Sequence, residues 1–83
     1  SCVMRNTNLD NIVQLENLIQ SYGHEFQSIG NEIKIYLLND SEIHIIISDS
    51  IEIYTYDISS ADNKYSSKNI EDAKTILKQF LIS

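Results

Sequence analysis

The stretch that decides the fold runs from residue 32 to residue 58 and reads EIKIYLL-NDS-EIHIII-SDS-IEIYTYDI. It contains three isoleucine-rich segments, and each alternates apolar and polar residues. A period of two is typical of a β-strand with one buried face and one solvated face. The polar triplets at 39–41 and 48–50 indicate hairpin turns, so we expect three neighbouring antiparallel strands.

One helix is predicted before this block and another after it. Between residues 9 and 22 apolar side chains recur at three- and four-residue intervals, and Gly23 is suited to end that helix. The second helix is predicted over Ile70–Leu81, with Asn69 as its N-cap, acids in the first turn and lysines further on. Both helices are amphipathic, so each needs a surface on which to bury its apolar side.

A weaker strand is predicted over Glu25–Ile29, followed by a two-residue turn at 30–31 with a positive φ at Gly30. The order is then α-β-β-β-β-α, which predicts an α+β fold: a four-stranded antiparallel meander with two helices packed on one face. The 83 residues predict a single domain over 1–83. Residues 1–7 are predicted to be a flexible N-terminus and residues 59–68 a mobile loop.

The alternation also predicts the register, because residues directly opposite each other share a face of the sheet. Turns at 30–31, 39–41 and 48–50 give these pairs: Phe26 with Ile35, Leu37 with Ile43, Ile35 with Ile45, and Ile45 with Ile53. On the solvated face, one row is then predicted to contain Glu25, Tyr36, His44 and Tyr54. The strand over 51–58 is predicted to lie at an edge of the sheet.

Charge is unevenly distributed along the chain. Twelve acids and six bases give a net charge of −6, yet residues 6–63 contain ten acids and one base, Lys34. Such a surface repels phosphate backbones and attracts basic surfaces. We therefore expect a protein partner with a basic surface and no direct binding of nucleic acid. No apolar run approaches the about 20 residues of a membrane span, so no membrane contact and a cytoplasmic location are expected.

The solvated face carries the candidate binding residues. Its tyrosines and carboxylates predict a surface that contacts a protein partner, with aromatic side chains as anchors. The candidates are Glu32, Tyr36, Asp40, Glu42, His44, Asp49, Glu52, Tyr54, Tyr56 and Asp57. A second interpretation fits the same residues equally well: cross-strand tyrosines stabilise a sheet, and acids keep a small protein in solution.

Catalysis, metal binding and cofactor binding are not expected. His44 has carboxylates nearby in sequence, but a flat sheet face offers no cleft for a substrate. The two histidines and the single cysteine lack the spacing of metal ligands. Two glycines cannot form a glycine-rich phosphate loop. We therefore expect no catalytic residue, no metal ligand and no cofactor.

In outline the chain resembles small acidic phage-encoded inhibitors, among them some anti-CRISPR proteins. The matching features are the length, the helix over 9–22, the strand block over 32–58, the final helix over Ile70–Leu81 and the concentrated acidity. The resemblance implies an inhibitor from a phage or mobile element, acting in the host cytoplasm. Its acidic side chains would block a basic nucleic-acid-binding partner such as a Cas nuclease. It assigns no role to any individual residue.

A structural role is the alternative to inhibition. In that case the protein is a small homodimeric structural or assembly module, joined through the tyrosine face or through the edge strand over 51–58. The two hypotheses differ in the binding partner, which is a foreign basic protein in the first and a second copy of the chain in the second.

Overall fold

The computed structural model describes residues 7–57 and 62–82. Within these ranges the chain forms two helices and one five-stranded antiparallel sheet with strand order β1-β2-β3-β4-β5. The elements are α1 (Thr7–Ser21), β1 (Glu25–Ile29), β2 (Glu32–Tyr36), a single 3-10 turn (Leu38–Asp40), β3 (Glu42–Ile47), β4 (Ile51–Tyr56), β5 (Asn63–Ser67) and α2 (Ile70–Leu81).

The α+β class is confirmed, but the prediction of four strands is wrong. Residues 63–67, predicted to belong to a mobile loop, form β5 and pair antiparallel with β4. β4 is therefore an inner strand, and the predicted edge over 51–58 is covered; the edges are β1 and β5. The reason is non-local, because Tyr65 lies opposite Ile53 and packs against the core. Of the N-terminus predicted to be flexible over 1–7, Thr7 belongs instead to α1, and residues 1–6 lie outside the described residues, as do residues 59–61 of the predicted loop.

Both helices form for the reasons the sequence indicates. α1 begins at Thr7, two residues earlier than predicted, and is followed by Gly23 with φ of +78°. α2 spans Ile70–Leu81 as predicted, and Asn69 caps it: its Oδ1 accepts a hydrogen bond from the Asp72 backbone N–H at 2.8 Å. This bond satisfies one of the backbone donors that the first turn of any helix leaves unpaired.

One face of the sheet and the inner sides of both helices enclose the hydrophobic core. The buried apolar residues are Ile12, Leu15, Ile19, Ile33, Ile35, Ile43, Ile45, Ile47, Ile51, Ile53, Ala73, Leu77 and Leu81. Every strand residue in this set falls on the face that the alternation predicted to be buried. Neither helix covers the opposite face of the sheet.

Two of the three predicted registers are confirmed. Phe26 lies opposite Ile35 across a turn in which Gly30 has φ of +60°, and Ile45 lies opposite Ile53. The register between β2 and β3 is wrong by two residues. Ile43 lies opposite Ile35 instead of Leu37, and Ile45 lies opposite Ile33 instead of Ile35.

The shift comes from the turn between β2 and β3. It is a three-residue turn, but it spans Leu38–Asp40 instead of 39–41, and the Leu37 N–H donates to the Ser41 carbonyl at 2.9 Å. Asp40 takes the left-handed conformation, with φ of +60°. A left-handed third residue is what a three-residue hairpin turn requires, and aspartate tolerates it. A shift of two residues keeps each side chain on its face but changes its neighbours.

Candidate functional site

The open face is the side of the sheet opposite the core, and its residues fall into three rows that cross the strands. The first acidic row contains Glu25, Tyr36, Glu42 and Tyr56. The middle row contains Gln27, Lys34, His44, Tyr54 and Lys64. The second acidic row contains Ile29, Glu32, Ile46, Glu52 and Ser66.

This arrangement corrects the predicted row of Glu25, Tyr36, His44 and Tyr54. Tyr36 lies opposite Glu42, whereas His44 lies between Lys34 and Tyr54 in the next row. The change follows directly from the left-handed Asp40, which moves β3 by two residues along β2. The tyrosines are consequently divided between two rows.

His44 connects the first acidic row to the middle row. Its Nε2 lies 2.9 Å from Oε1 of Glu42, two residues earlier on the same strand. The His44 ring also contacts Tyr56, with ring centroids 4.7 Å apart and planes inclined at 55°. Tyr56 is a diagonal neighbour on β4, within the reach of aromatic side chains across a strand pair. These contacts hold Glu42 and Tyr56 in place on a face that is otherwise open.

A third contact fixes the β1 side of the same face. The Tyr36 hydroxyl donates to Oε1 of Gln27 at 3.3 Å, which joins the first acidic row to the middle row on β1 and β2. Tyr36 and Tyr56 remain 40% and 37% exposed, so both rings present apolar surface to solvent. Exposed aromatic rings held by polar contacts are suited to anchor a binding partner.

Lys64 is a residue of the open face that the sequence prediction missed. Its Nζ lies 5.7 Å from the centroid of the Tyr54 ring, within the range of a cation–π interaction. It was missed because the segment NKYSS has a single apolar residue, Tyr65, and so shows almost no alternation. The middle row therefore carries two lysines, one near each edge of the sheet, between two rows of carboxylates.

Glu52 has the most distinctive electrostatic environment on the face. The side-chain hydroxyls of Ser66 and Ser50 lower the pKa of Glu52, and Lys64 adds to this, while partial desolvation opposes it. Ser50 donates a hydrogen bond to Oε1 at 3.0 Å. The Ser66 side chain lies close to the carboxylate, but among the described residues no hydrogen bond of standard geometry reaches the shielded Oε2. Glu52 is thus held as a carboxylate beside the hairpin turn.

Replacing Glu52 with glutamine is expected to remove a pH-dependent part of the stability. The folded-state pKa of Glu52 is below its ordinary value of 4.5, so ionised Glu52 stabilises the fold above that pH. This stabilisation is lost as the pH falls through the folded-state pKa. The measurement is the free energy of unfolding of E52Q and wild type from pH 7 to pH 2.

We expect the difference in unfolding free energy between wild type and E52Q to be constant near neutral pH and to decrease in acid. The S50A and S66A variants are controls, because removing either hydroxyl should weaken the pH dependence while leaving the carboxylate in place. A difference that stays the same across this pH range would contradict the assigned environment of Glu52.

The turn carboxylates lie apart from one another. Asp40 precedes β3 and Asp49 follows it, so the length of the strand, about 20 Å at 3.3 Å per residue, separates them. Asp57 is exposed directly after β4, at the same end of the sheet as Asp40. The candidates on the strands share the open face: Glu32, Tyr36, Glu42, His44, Glu52, Tyr54 and Tyr56. The other three, Asp40, Asp49 and Asp57, lie at the ends of the strands.

Two shallow depressions adjoin the open face beside Tyr36. One, of 630 Å³, is lined by Gln20, His24, Glu25, Phe26, Gln27 and Tyr36, and the other, of 350 Å³, by Gly23, His24, Glu25, Tyr36, Leu37 and Leu38. His24 lies in both, and its Nε2 bonds to the Leu81 carbonyl at 2.7 Å. That bond satisfies a carbonyl at the C-terminal end of α2, which gives His24 a structural role.

Among the described residues, no three histidine, cysteine, aspartate or glutamate side chains are grouped closely enough to hold a metal ion. Neither α1 nor α2 has both the length and the apolar content of a membrane-spanning helix.

Comparisons with protein-family models, with curated proteins and with solved structures found nothing that matches this chain. The fold and the open face therefore define the protein only as a small α+β protein with an exposed tyrosine- and carboxylate-bearing sheet face.

Proposed function

We propose that the protein is a binding module whose open face docks on a basic surface of another protein. We further propose that it acts as an inhibitor, blocking nucleic acid from that surface; a nuclease that holds nucleic acid in a basic groove, such as a Cas nuclease, is the kind of partner that fits. The observation that carries the proposal is the pair of acidic rows, in the first of which exposed tyrosines alternate with carboxylates.

The spacing of the acidic rows supports imitation of a nucleic acid. Four residues along a strand separate the two rows, which is about 13 Å at about 3.3 Å per residue. The major groove of B-form DNA is about 12 Å wide, and phosphates border it on both sides. The sheet holds the carboxylates at fixed spacing, so little entropy is lost when they bind.

The tyrosines supply the apolar part of the proposed contact. Tyr36 and Tyr56 both lie in the first acidic row, beside Glu42 and within reach of His44. Aromatic side chains near the centre of an interface often carry much of the binding energy, and surrounding charges set orientation and association rate. The first acidic row therefore combines both kinds of contact.

Lys34 and Lys64 limit how a basic partner can bind the open face. Both lie in the middle row, so a basic partner must engage the acidic rows and turns more closely than the middle of the face. Lys64 is exposed at the β5 side, where it would repel a basic partner. Replacing Lys64 with glutamine is therefore a useful additional variant, and it should strengthen binding.

Charge reversal on the open face is expected to weaken partner capture strongly. The variant E42K/E52K places one reversal in each acidic row and changes the net charge from −6 to −2, since each reversal adds +2. The control E16K/E71K has the same net charge but alters the two helices. With the tagged protein as bait in a lysate of the source cells, we expect wild type and control to retain a basic nucleic-acid-binding protein. The face variant should bind it at least about tenfold more weakly, corresponding to about 1.4 kcal/mol.

Two further readouts test the mechanism. Raising the salt concentration should weaken wild-type capture steeply, because exposed charges are screened within about 8–10 Å at physiological salt. Adding a duplex oligonucleotide should displace the captured protein if both compete for one surface. Equal capture by the face variant and the control, or capture unaffected by salt, would refute the proposal.

A further inference from the structure

The outer edge of β1 carries backbone groups that no neighbour among the described residues pairs. The turn at 30–31 joins the Ile29 carbonyl to the Glu32 N–H, so these two residues form a hydrogen-bonded pair. Antiparallel ladders alternate bonded and non-bonded pairs, so Gln27 and Glu25 also bond to β2. The N–H and C=O groups of Phe26 and Ser28 consequently point outward. From the described residues, no other hydrogen bond reaches these four groups.

The exposed edge of β1 lacks two of the features that usually prevent strand pairing. Its sequence, EFQSI, contains no proline and no lysine, and Ile29 is 68% exposed. Natural sheets protect edges with prolines, lysines and bulges. The other edge strand, β5, follows this rule better, since it carries Lys64 and is followed by Lys68. β1 is therefore the edge that is open to another strand.

The β1 strand is complementary to itself in the antiparallel direction. Placing Gln27 opposite Gln27 of a second copy sets Phe26 opposite Ser28, so all four outward groups of each chain are hydrogen-bonded. The same register sets Glu25 opposite Ile29, which keeps the two glutamates apart by about 13 Å along the strands. Opposite residues also share a face, so buried and open faces continue across the junction. A shift by two residues in either direction places Phe26 opposite Phe26, or Ser28 opposite Ser28, and loses bonded pairs.

An apolar flank of α1 lies above this edge. Val13 is 46% exposed and Leu9, one turn earlier, is 54% exposed. Gln20 lies two turns after Val13 on the same side of the helix and lines a depression with Phe26 and Gln27 of β1. The flank that contains Val13 and Leu9 therefore faces the β1 edge, where a second α1 would cover it.

We propose that the protein forms a two-fold symmetric dimer in which β1 pairs antiparallel with β1 of a second copy. The result is a continuous ten-stranded sheet, with Gln27 on the symmetry axis and the two α1 helices flanking it on the core side. A symmetric interface of this kind is self-complementary, as closed dimers require. The dimer places two open faces side by side, so a partner would meet twice the number of acidic rows. The pairing uses the backbone edge of β1, where each row ends, and does not cover Glu42 or Glu52, so it does not depend on the proposed function.

Position 27 gives a test specific to this register. In Q27K or Q27E, two like charges lie opposite each other on the axis, which destabilises the pairing. Sedimentation velocity should therefore show wild type at twice the monomer mass of 9.5 kDa, and each variant alone at the monomer mass. Mixing Q27K with Q27E should restore the doubled mass, because opposite charges then meet. S66K, which adds a lysine to the β5 edge of the same face, is the matched control and should remain dimeric.

Salt and amide exchange add independent readouts. Each chain carries −6, so dimerisation should strengthen as salt rises, the reverse of the salt effect proposed for the basic partner. The amide protons of Phe26 and Ser28 should exchange more slowly as protein concentration increases. A wild type that remains monomeric at high concentration and high salt would overturn the proposal. So would a dimer that Q27K and Q27E leave intact.

Discussion

Replacing Ile45 with alanine is expected to lower the free energy of unfolding by about 3–4 kcal/mol, the largest effect that we predict. Ile45 is 0% exposed at the centre of the sheet and lies between Ile33 and Ile53 in the register. Truncating a fully buried isoleucine loses its transfer free energy and leaves a cavity, which together cost about 2–5 kcal/mol. The measurement is urea unfolding followed by circular dichroism.

The adjacent residue provides the control, because the same substitution at Ile46 alters the open face. Ile46 is half-buried and lies opposite Glu32 and Glu52, so I46A is expected to cost about 1 kcal/mol or less. Equal losses of unfolding free energy for I45A and I46A would contradict the placement of Ile45 on the buried face and of Ile46 on the open face. At about 0.05–0.15 kcal/mol per residue, an 83-residue domain has about 4–12 kcal/mol of stability. The Ile45 substitution therefore removes a large share of it.

Replacing Tyr65 with alanine is expected to cost about 2–3 kcal/mol. Tyr65 lies opposite Ile53 on β5, and its ring contacts Phe80 of α2 with centroids 5.6 Å apart. Truncation of a buried aromatic residue costs about 3–5 kcal/mol, and the half-buried position of Tyr65 reduces that range. Loss of the aromatic pair accounts for about 0.5–1.5 kcal/mol of the total. Chemical unfolding measures the change, and near-ultraviolet circular dichroism shows whether the remaining core is intact.

The control for Tyr65 is Tyr36, which carries the same side chain on the open face. Tyr36 is 40% exposed, and its hydroxyl makes a single exposed hydrogen bond, so Y36A is expected to cost under about 1 kcal/mol. If residues 63–67 were part of a mobile loop, Y65A would cost no more than Y36A. The comparison thus tests the presence of β5 directly.

Most of the secondary structure could be predicted because its signals are local. The alternation of β2, β3 and β4 and the helical spacing of α1 and α2 each extend over a whole element. Asn69 was predicted as an N-cap from its position alone, and it is one. β5 could not be predicted in this way, since its five residues include one apolar side chain and its stability comes from pairing with β4.

The alternation assigned the strand residues among the candidates to the open face, where the structure has them, but it did not predict which of them are neighbours. The predicted turn over 39–41 would place Ser41 in the left-handed position, whereas the observed turn over Leu38–Asp40 places Asp40 there, and aspartate tolerates that conformation. This difference of one residue in the turn moves β3 by two residues along β2. His44 therefore lies beside Lys34 instead of Tyr36, and Glu42 lies between Tyr36 and Tyr56.

The sequence by itself determined which side of each central strand is buried, because a period of two assigns every isoleucine of the block to a face whatever the register. Only the tertiary structure decided which side chains meet on the other face and which strands form the edges. Those outcomes depend on the conformation of one turn residue, Asp40, and on contacts between segments far apart in the chain, such as Tyr65 with Phe80. The same placement makes β1, and not β4, an edge strand of the described sheet.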